Sequence, residues 1–228
     1  MSDSRGKMRR SSIIIYPTET AYAIGCDATN ARAVAAIFRL KGRERGKSLP
    51  LIVASRAMAE RYAQFTPLAR QLSKRYWPGP LTLVLAQRFS PPPDRRGSER
   101  GWKPLAPGVI AADGTVALRV SSHPIARRLS RQLGHPIIST SANRSGEPPA
   151  FSARAAMRAF LADRNVLLMD VGALPRRKPS TIVDARGSEP IILRQGAVSL
   201  RGAAATKQSR PIRERIIYMT GIASFRSQ

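Results

Sequence analysis

The sequence predicts a single α/β domain, mixed α+β in character, in which helices flank a mixed β-sheet. Short runs of β-branched and aliphatic residues alternate along the chain with segments of helical periodicity. Some of the strand-like runs also follow each other closely enough to pair as hairpins. No internal repeat and no mid-chain linker is evident, so we expect one domain at 12–198 between basic tails at 1–11 and 199–228.

The predicted strands are short apolar runs bounded by Gly, Pro or polar residues. The first run, Ile13 to Tyr16, is rich in β-branched side chains, and a turn at 17–20 separates it from a second strand near 21–24. Further strands are expected at 49–54, 81–86, 115–120, 136–140, 166–169, 181–184 and 190–193.

The predicted helices carry recognisable start signals. Asn30 can cap a helix at 31–40, whose apolar residues recur on one face. Pro124 suits the first turn of a helix that runs to about residue 133. Helices are also expected at 57–64, 68–76 and 153–161. The segment 88–112 is instead rich in Pro, Gly and Arg, which predicts an exposed loop.

The charge of the chain is its most unusual bulk property. Among 228 residues, 39 are Lys or Arg and 14 are Asp or Glu, which gives a net charge of +25. Because 43% of the residues are hydrophobic, a packed core is still expected. The charge favours a polyanionic partner, such as a phosphate ligand, a nucleic acid or an anionic lipid surface, without deciding among them.

The same composition excludes several classes of protein. A single Cys excludes an intramolecular disulfide, and this Cys with two His is too few for a typical structural zinc site. No apolar run approaches the ~18 residues of a membrane helix. The apolar run at 13–16 ends at Pro17 and is too short for a signal peptide. We therefore expect a cytoplasmic protein without a membrane partner.

The densest basic segment is 41–48, with the sequence KGRERGKS. Its cations repel one another unless solvent or an anion screens them, so the segment is either a solvated loop or a polyphosphate site. It is not a P-loop, because only three residues separate Gly42 from Gly46. It also follows a predicted helix and precedes a strand, which is the reverse of the P-loop order.

Polar residues follow or interrupt several predicted strands. The sequence STSAN at 139–143 ends a buried strand, where a ligand site or a simple Asx or Ser turn is expected. Arg119 interrupts the apolar run at 116–120 and Arg194 follows the apolar run at 191–193, and each either faces solvent or projects into a cleft. Taken alone, the turn PTET at 17–20 has no special chemistry.

Taken in order, these segments resemble the YrdC-like threonylcarbamoyl-AMP synthases of the short, single-domain bacterial type. The resemblance covers roughly residues 12–198 and rests on motifs that occur in the family's order. They are IIYPTETAYAIGCD at 14–27, LKGR at 40–43, WPGPLT at 77–82, ALRV at 117–120, STSANRSG at 139–146, PSTIVD at 179–184 and LRQG at 193–196.

The resemblance implies a twisted mixed sheet with a basic concave face. It also implies a nucleotidyltransferase reaction, in which L-threonine, bicarbonate and ATP give threonylcarbamoyl-adenylate and pyrophosphate. The product would then feed partner proteins that attach the threonylcarbamoyl group to an adenosine of tRNA. The alternative is a non-catalytic YrdC-like module that binds tRNA or double-stranded RNA through phosphate contacts.

The resemblance also implies roles for individual residues. The Lys41 and Arg43 pair would be catalytic through its contacts with the phosphates of ATP. The set implied for ATP binding is Lys41, Arg43, Lys47, Thr115, Asn143 and Arg194. The set implied for threonine is Thr20, Arg119, Ser141 and Ser180. Mg²⁺ is expected to arrive with ATP, and the protein itself is expected to hold no metal.

The chain departs from the family pattern at a few positions. Glu44 follows the K-x-R arginine where many relatives have Pro, and Ile52 stands where some relatives have a His that contacts threonine. The 88–112 loop is longer than usual. Only about 30 residues follow Val198, so the second domain of the larger family branch is not expected.

Overall fold

The computed structural model describes residues 13–42, 48–90, 101–160 and 166–200. The strands are β1 (Ile13–Pro17), β2 (Tyr22–Gly25), β3 (Leu51–Ile52), β4 (Leu81–Ala86), β5 (Thr115–Arg119), β6 (Ile137–Ile138), β7 (Thr140–Ser141), β8 (Val166–Leu168), β9 (Thr181–Asp184) and β10 (Ile191–Arg194). The helices are α1 (Ala31–Lys41), α2 (Arg56–Glu60), α3 (Pro67–Tyr76), α4 (Pro124–Leu133) and α5 (Ala153–Arg158).

The strands form two mixed sheets. The smaller sheet has the order β7-β2-β1-β8, in which only β1 and β8 run parallel. The larger sheet has the order β10-β9-β4-β5-β3-β6, in which β9 with β4 and β5 with β3 are the parallel pairs. The predicted fold class is therefore confirmed, with the strands divided between two sheets.

The core lies against one face of the larger sheet. In its central strands every second residue is buried on this face, as Leu81, Leu83 and Leu85 are in β4. Val116 and Leu118 of β5 and Val183 of β9 belong to the same cluster. Because strand side chains alternate between faces, the intervening residues are left for the opposite face, where the cleft described below lies.

Helix ends are set by the signals that the sequence carries. The Asn30 side chain accepts a hydrogen bond from the Ala33 amide and caps α1. At the other end, Gly42 adopts a left-handed conformation with φ of 59°, which stops the helix immediately after Lys41. The helix predicted at 124–133 is confirmed with the same bounds.

Several expected elements differ from the structure. The helix expected at 57–64 is the short α2, which ends at Glu60, and the strand expected at 49–54 is reduced to Leu51–Ile52. The run at 136–140 is divided into β6 and β7, because these two short strands pair with different sheets. The loop 88–112 is not wholly exposed, since Leu105, Ala106 and Val109 are buried in the core and the Ala106 amide donates to the Ala28 carbonyl. These apolar side chains lie in a Pro/Gly-rich segment and follow neither a helix nor a strand period, so their burial could not be predicted from the pattern.

Other expectations concern the chain ends and the buried thiol. Both tails lie largely outside the described residues, so the boundaries at 12 and 198 stay a prediction. Within the described ranges, no helix is long and apolar enough to cross a membrane. Cys26 is fully buried, and burial raises the pKa of its thiol, so this group stays protonated and packs as a small core side chain.

Truncating Leu83 to Ala is expected to lower the free energy of unfolding by about 2–5 kcal/mol, because the side chain is fully buried at the centre of the larger sheet. The control is Leu167→Ala, at a residue 38% exposed on the edge strand β8, where the loss is expected to be under about 1 kcal/mol. Urea unfolding measures the free energy of unfolding of both variants. Equal losses would contradict the assignment of the core face.

Candidate active site

A cleft of about 660 Å³ is lined by residues from both sheets. The smaller sheet contributes β2, β7 and the turn at 18–21, and the larger sheet contributes β3, β4, β5, β9 and β10. The charged side chains in the lining are Arg119, Arg177, Arg194 and Glu147. With three guanidinium groups and one carboxylate, the cleft is suited to anionic ligands.

One wall of the cleft is the open face of the larger sheet. Thr82 and Val84 of β4 and Ala117 and Arg119 of β5 line it, in alternation with the buried leucines of the same strands. The arginine that interrupts the apolar run of β5 is therefore directed into the cleft rather than into bulk solvent. This resolves the alternative that the sequence left open for Arg119.

A hydrogen-bonded group lies at the start of β9 and consists of Ser180, Arg194 and Thr82. The Arg194 guanidinium donates to the Ser180 carbonyl oxygen from Nη2 at 2.8 Å and from Nε at 3.2 Å. Its Nη2 also lies 3.1 Å from Ser180 Oγ, which lies 2.9 Å from Thr82 Oγ1. Burial, and then the neighbouring charge of Arg119, lower the pKa of Arg194. An anion between these two guanidinium groups would relieve that repulsion.

Arg119 is held by a carboxylate from the turn at 17–20. Its Nη1 donates to Glu19 Oε1 at 2.8 Å, and the two side chains are only 8% and 6% exposed. The second carboxylate oxygen of Glu19 accepts a hydrogen bond from the Ser121 hydroxyl. The turn at 17–20, which has no special chemistry when its sequence is taken alone, thus contributes to a buried ion pair at the edge of the cleft.

The turn also places two hydroxyls beside that pair. Thr18 Oγ1 donates to the Ala21 carbonyl at 2.7 Å and lies 3.0 Å from Thr20 Oγ1. Both threonines line the cleft. The turn is rigid because the Thr18 side chain also accepts from the amides of residues 20 and 21.

Lys41 lies behind the wall formed by residues 141–143. Its ammonium donates to the Ser141 carbonyl at 2.6 Å and to the Asn143 carbonyl at 2.7 Å, and the residue is only 4% exposed. Ser141 and Asn143 themselves line the cleft, and the Asn143 side-chain amide donates to the Glu147 carbonyl. The last residue of α1 is therefore fixed to the wall of the site.

The structure gathers six of the predicted site residues in the cleft lining: Thr20, Arg119, Ser141, Asn143, Ser180 and Arg194. Thr115 is the first residue of β5 and lies on the same face of the strand as Ala117 and Arg119, but it is not part of the cleft lining. Its hydroxyl donates to the Asp113 carboxylate at 2.6 Å. Arg43 and Lys47 lie outside the described residues. The ligand roles of all these residues stay predictions.

Sequence reasoning missed Glu19, Thr82 and Ser121. Glu19 could have been found, because it is a carboxylate in a short turn between two apolar strands. A carboxylate buried in such a place requires a cationic or hydrogen-bonding partner. Thr82 could also have been found, since it alternates with leucines in β4 and must face away from the core. Nothing in the sequence pattern connected Ser121 with a carboxylate about 100 residues away.

Comparison with known proteins relates the chain to one family. The family model Sua5/YciO/YrdC, described as "Telomere recombination", matches residues 7–196. The threonylcarbamoyl-AMP synthase of Thiobacillus denitrificans is 39% identical over 184 residues, which cover 78% of this chain and 86% of that protein. A putative threonylcarbamoyl-AMP synthase of Mycobacterium tuberculosis is 37% identical over 195 residues, or 85% of this chain and 82% of that protein.

Solved structures show the same likeness. Sua5 of P. abyssi, in its complex with L-threonine, superposes with a TM-score of 0.71 at 34% identity. The match covers 86% of this chain and 54% of the P. abyssi chain, so this chain spans about half the length of that protein. YciO of E. coli superposes with a TM-score of 0.67 at 26% identity, covering 83% of this chain and 85% of that one.

Gly196→Ala is expected to lower the free energy of unfolding by about 1–3 kcal/mol. A Cβ at this position would meet the Pro179 carbonyl oxygen and lie 2.6 Å from the Ser180 carbonyl carbon, so the chain after β10 would be forced away from the mouth of the cleft. Gly187→Ala is the matched control, because the nearest atom to its Cβ is 3.9 Å away. Thermal unfolding compares the two; a normal melting temperature for Gly196→Ala would contradict this close approach.

Proposed function

We infer that this chain, which belongs to the Sua5/YciO/YrdC family, is a threonylcarbamoyl-AMP synthase. It is a nucleotidyltransferase that converts L-threonine, bicarbonate and ATP into threonylcarbamoyl-adenylate and pyrophosphate. The observation that carries this conclusion is the cleft between the two sheets, in which two anchored guanidinium groups, Arg119 and Arg194, lie among hydroxyl groups. Such a site suits two anionic substrates, one of them a small polar amino acid.

The reaction has two chemical steps. The amine of threonine attacks the carbon of bicarbonate, and loss of water gives a carbamate. A carbamate oxygen then attacks the α-phosphorus of ATP, and the bond to pyrophosphate breaks. Both steps join anionic or polar reactants, so a site that aligns them and offsets the charge of the leaving pyrophosphate accelerates the reaction.

The threonine side of the cleft is assigned to the β1–β2 turn and the ends of β5, β7 and β9. The Arg119 guanidinium is the partner proposed for the threonine carboxylate, since a guanidinium binds a carboxylate through two parallel hydrogen bonds. The hydroxyls of Thr20, Ser141 and Ser180 are proposed partners for the amine and side-chain hydroxyl of threonine. Arg119 and Ser141 end their strands, Ser180 directly precedes β9 and Thr20 lies in the turn before β2. All four line the cleft, which supports a shared location.

The ATP side is assigned to the basic segment after α1 and to β10. Arg194 and Asn143 line the cleft and are the proposed contacts for a phosphate group and the nucleotide. Lys41 holds the backbone at Ser141 and Asn143, which places its positive charge directly behind that wall. The proposed phosphate roles of Arg43 and Lys47, and the nucleotide role of Thr115, rest on the resemblance.

Mg²⁺ is proposed to enter as part of the substrate. This ion keeps much of its hydration and binds mainly through nucleotide phosphates. Downstream, the adenylate is a mixed anhydride, so it requires an acceptor, and we propose tRNA-modifying partner proteins in the cytoplasm. The net charge of +25 permits contact with tRNA itself.

Pyrophosphate release from the purified chain tests the function. We expect release only when ATP, threonine and bicarbonate are all present, and we expect threonylcarbamoyl-adenylate to be detected by mass spectrometry. Serine and valine in place of threonine are the controls for the amino acid. Intact ATP in the complete mixture, together with RNA binding that falls steeply with salt, would instead support a non-catalytic RNA-binding module.

Lys41→Ala is expected to lower kcat/KM for pyrophosphate release on the order of 100-fold, because it removes both a positive charge and the two hydrogen bonds that fix the 141–143 wall. Lys74→Ala, at an exposed lysine of α3, is the control and is expected to match the wild type. Circular dichroism checks that both variants fold. A folded Lys41→Ala variant with normal turnover would contradict the assignment.

A further inference from the structure

Glu19, Arg119 and Ser121 form a closed hydrogen-bonded cluster at the edge of the cleft. Glu19 comes from the turn between β1 and β2, in the smaller sheet, and Arg119 ends β5, in the larger sheet. The carboxylate accepts from Arg119 Nη1 at 2.8 Å through Oε1 and from the Ser121 hydroxyl through Oε2. The cluster thus joins the two sheets at the cleft.

Both oxygens of the Glu19 carboxylate accept hydrogen bonds within this cluster. Its side chain is 6% exposed, so an ionised Glu19 is stable there only because each oxygen has a donor. Ser121 is itself fixed, since it is fully buried and its Oγ accepts from the His123 amide at the start of α4. Glu19 is therefore held from two directions and cannot rotate into the cleft without losing both bonds.

Arg119 uses only part of its guanidinium in this cluster. Within the described residues, the one side-chain hydrogen bond of this guanidinium is that from Nη1 to Glu19, and Arg119 lines the cleft. The remaining donors leave an edge on which an incoming carboxylate can form two hydrogen bonds. An arginine has a long, flexible side chain, so one fixed nitrogen greatly reduces the entropy lost when a ligand binds.

The neighbouring charge makes this restraint necessary. Arg194 lies close enough for the charge of Arg119 to lower its pKa, so the two guanidinium groups repel each other across the cleft. The ion pair with Glu19 holds Arg119 in place against that repulsion.

We propose that Glu19 is a positioning residue that orients Arg119 to receive the carboxylate of the amino-acid substrate. This inference rests on the proposed function, since it assigns a source of threonine affinity within the same cleft. Glu19 acts through Arg119 and does not itself contact the substrate. It therefore sets the KM for threonine and leaves the ATP side of the cleft, at Arg194 and Asn143, largely unchanged.

The variant Glu19→Gln tests this inference, because it keeps the size of the side chain and a hydrogen-bond acceptor for Arg119 but removes the charge. We expect the KM for threonine to rise on the order of tenfold, with the KM for ATP within about twofold of the wild type. Glu60→Gln is the matched control. Glu60 is also paired with arginines, but on the surface of α2, and neither KM is expected to change.

A double-mutant cycle separates positioning from a general effect on folding. In an Arg119→Ala background, Glu19→Gln is expected to cause no further loss of kcat/KM for threonine, because the group it orients is gone. Equal and independent losses in the two backgrounds would overturn the inference. So would an unchanged threonine KM, or a rise in the threonine and ATP KM values by the same factor.

Two further controls keep the test decisive. If Glu19→Gln does not fold, as judged by circular dichroism, Ser121→Ala replaces it, and a smaller selective rise in the threonine KM is expected because only one of the two restraints on the carboxylate is lost. If the wild type itself releases no pyrophosphate, the proposed function fails. A wild type that is active beside a Glu19→Gln variant with normal KM values refutes only the positioning role.

Discussion

The site depends on one short piece of backbone that belongs to both sheets. Ile137 and Ile138 pair with β3 in the larger sheet, and after one residue Thr140 and Ser141 pair with β2 in the smaller one. The Tyr16 hydroxyl donates to the Ile138 carbonyl at 2.9 Å, which fixes the point of crossing. The cleft lies beside this crossing, because Ser139, Thr140 and Ser141 line it.

Three cations surround the 141–143 wall of the cleft, and each is held by hydrogen bonds within the protein. Lys41 stabilises the carbonyl groups behind it, while Arg119 and Arg194 project in front of it from the larger sheet. Each cation has an anchor within the protein: two carbonyl oxygens, the carboxylate of Glu19, and the Ser180 carbonyl and hydroxyl. Anchored charges cost little reorganisation when a ligand arrives, so they are better suited to binding an anion than solvated charges are.

Sequence patterns predicted most of the fold and only part of the site. The helix cap at Asn30 and the strand at 81–86 follow local rules, so they were predictable. The direction of Arg119 was left open, because strand alternation shows that a residue faces away from the core but not what lies opposite. The pairing of Glu19 with Arg119 joins residues 100 positions apart in different sheets, and no local pattern encodes such a contact. Motif resemblance supplied the cleft residues but not the contacts that hold them.

The remaining question is how such a cleft promotes its reaction without an obvious base. Among the described lining residues the one carboxylate is that of Glu147, which is exposed and accepts a hydrogen bond from the Arg144 amide. Glu19 is not part of this lining, and its two carboxylate oxygens accept hydrogen bonds from Arg119 and Ser121. The polar groups that remain are hydroxyls, amides and guanidinium groups, which bind and orient rather than transfer protons at neutral pH. Under the proposed function, the acceleration therefore comes from alignment of threonine, the bicarbonate carbon and the α-phosphorus, and from neutralisation of the leaving pyrophosphate.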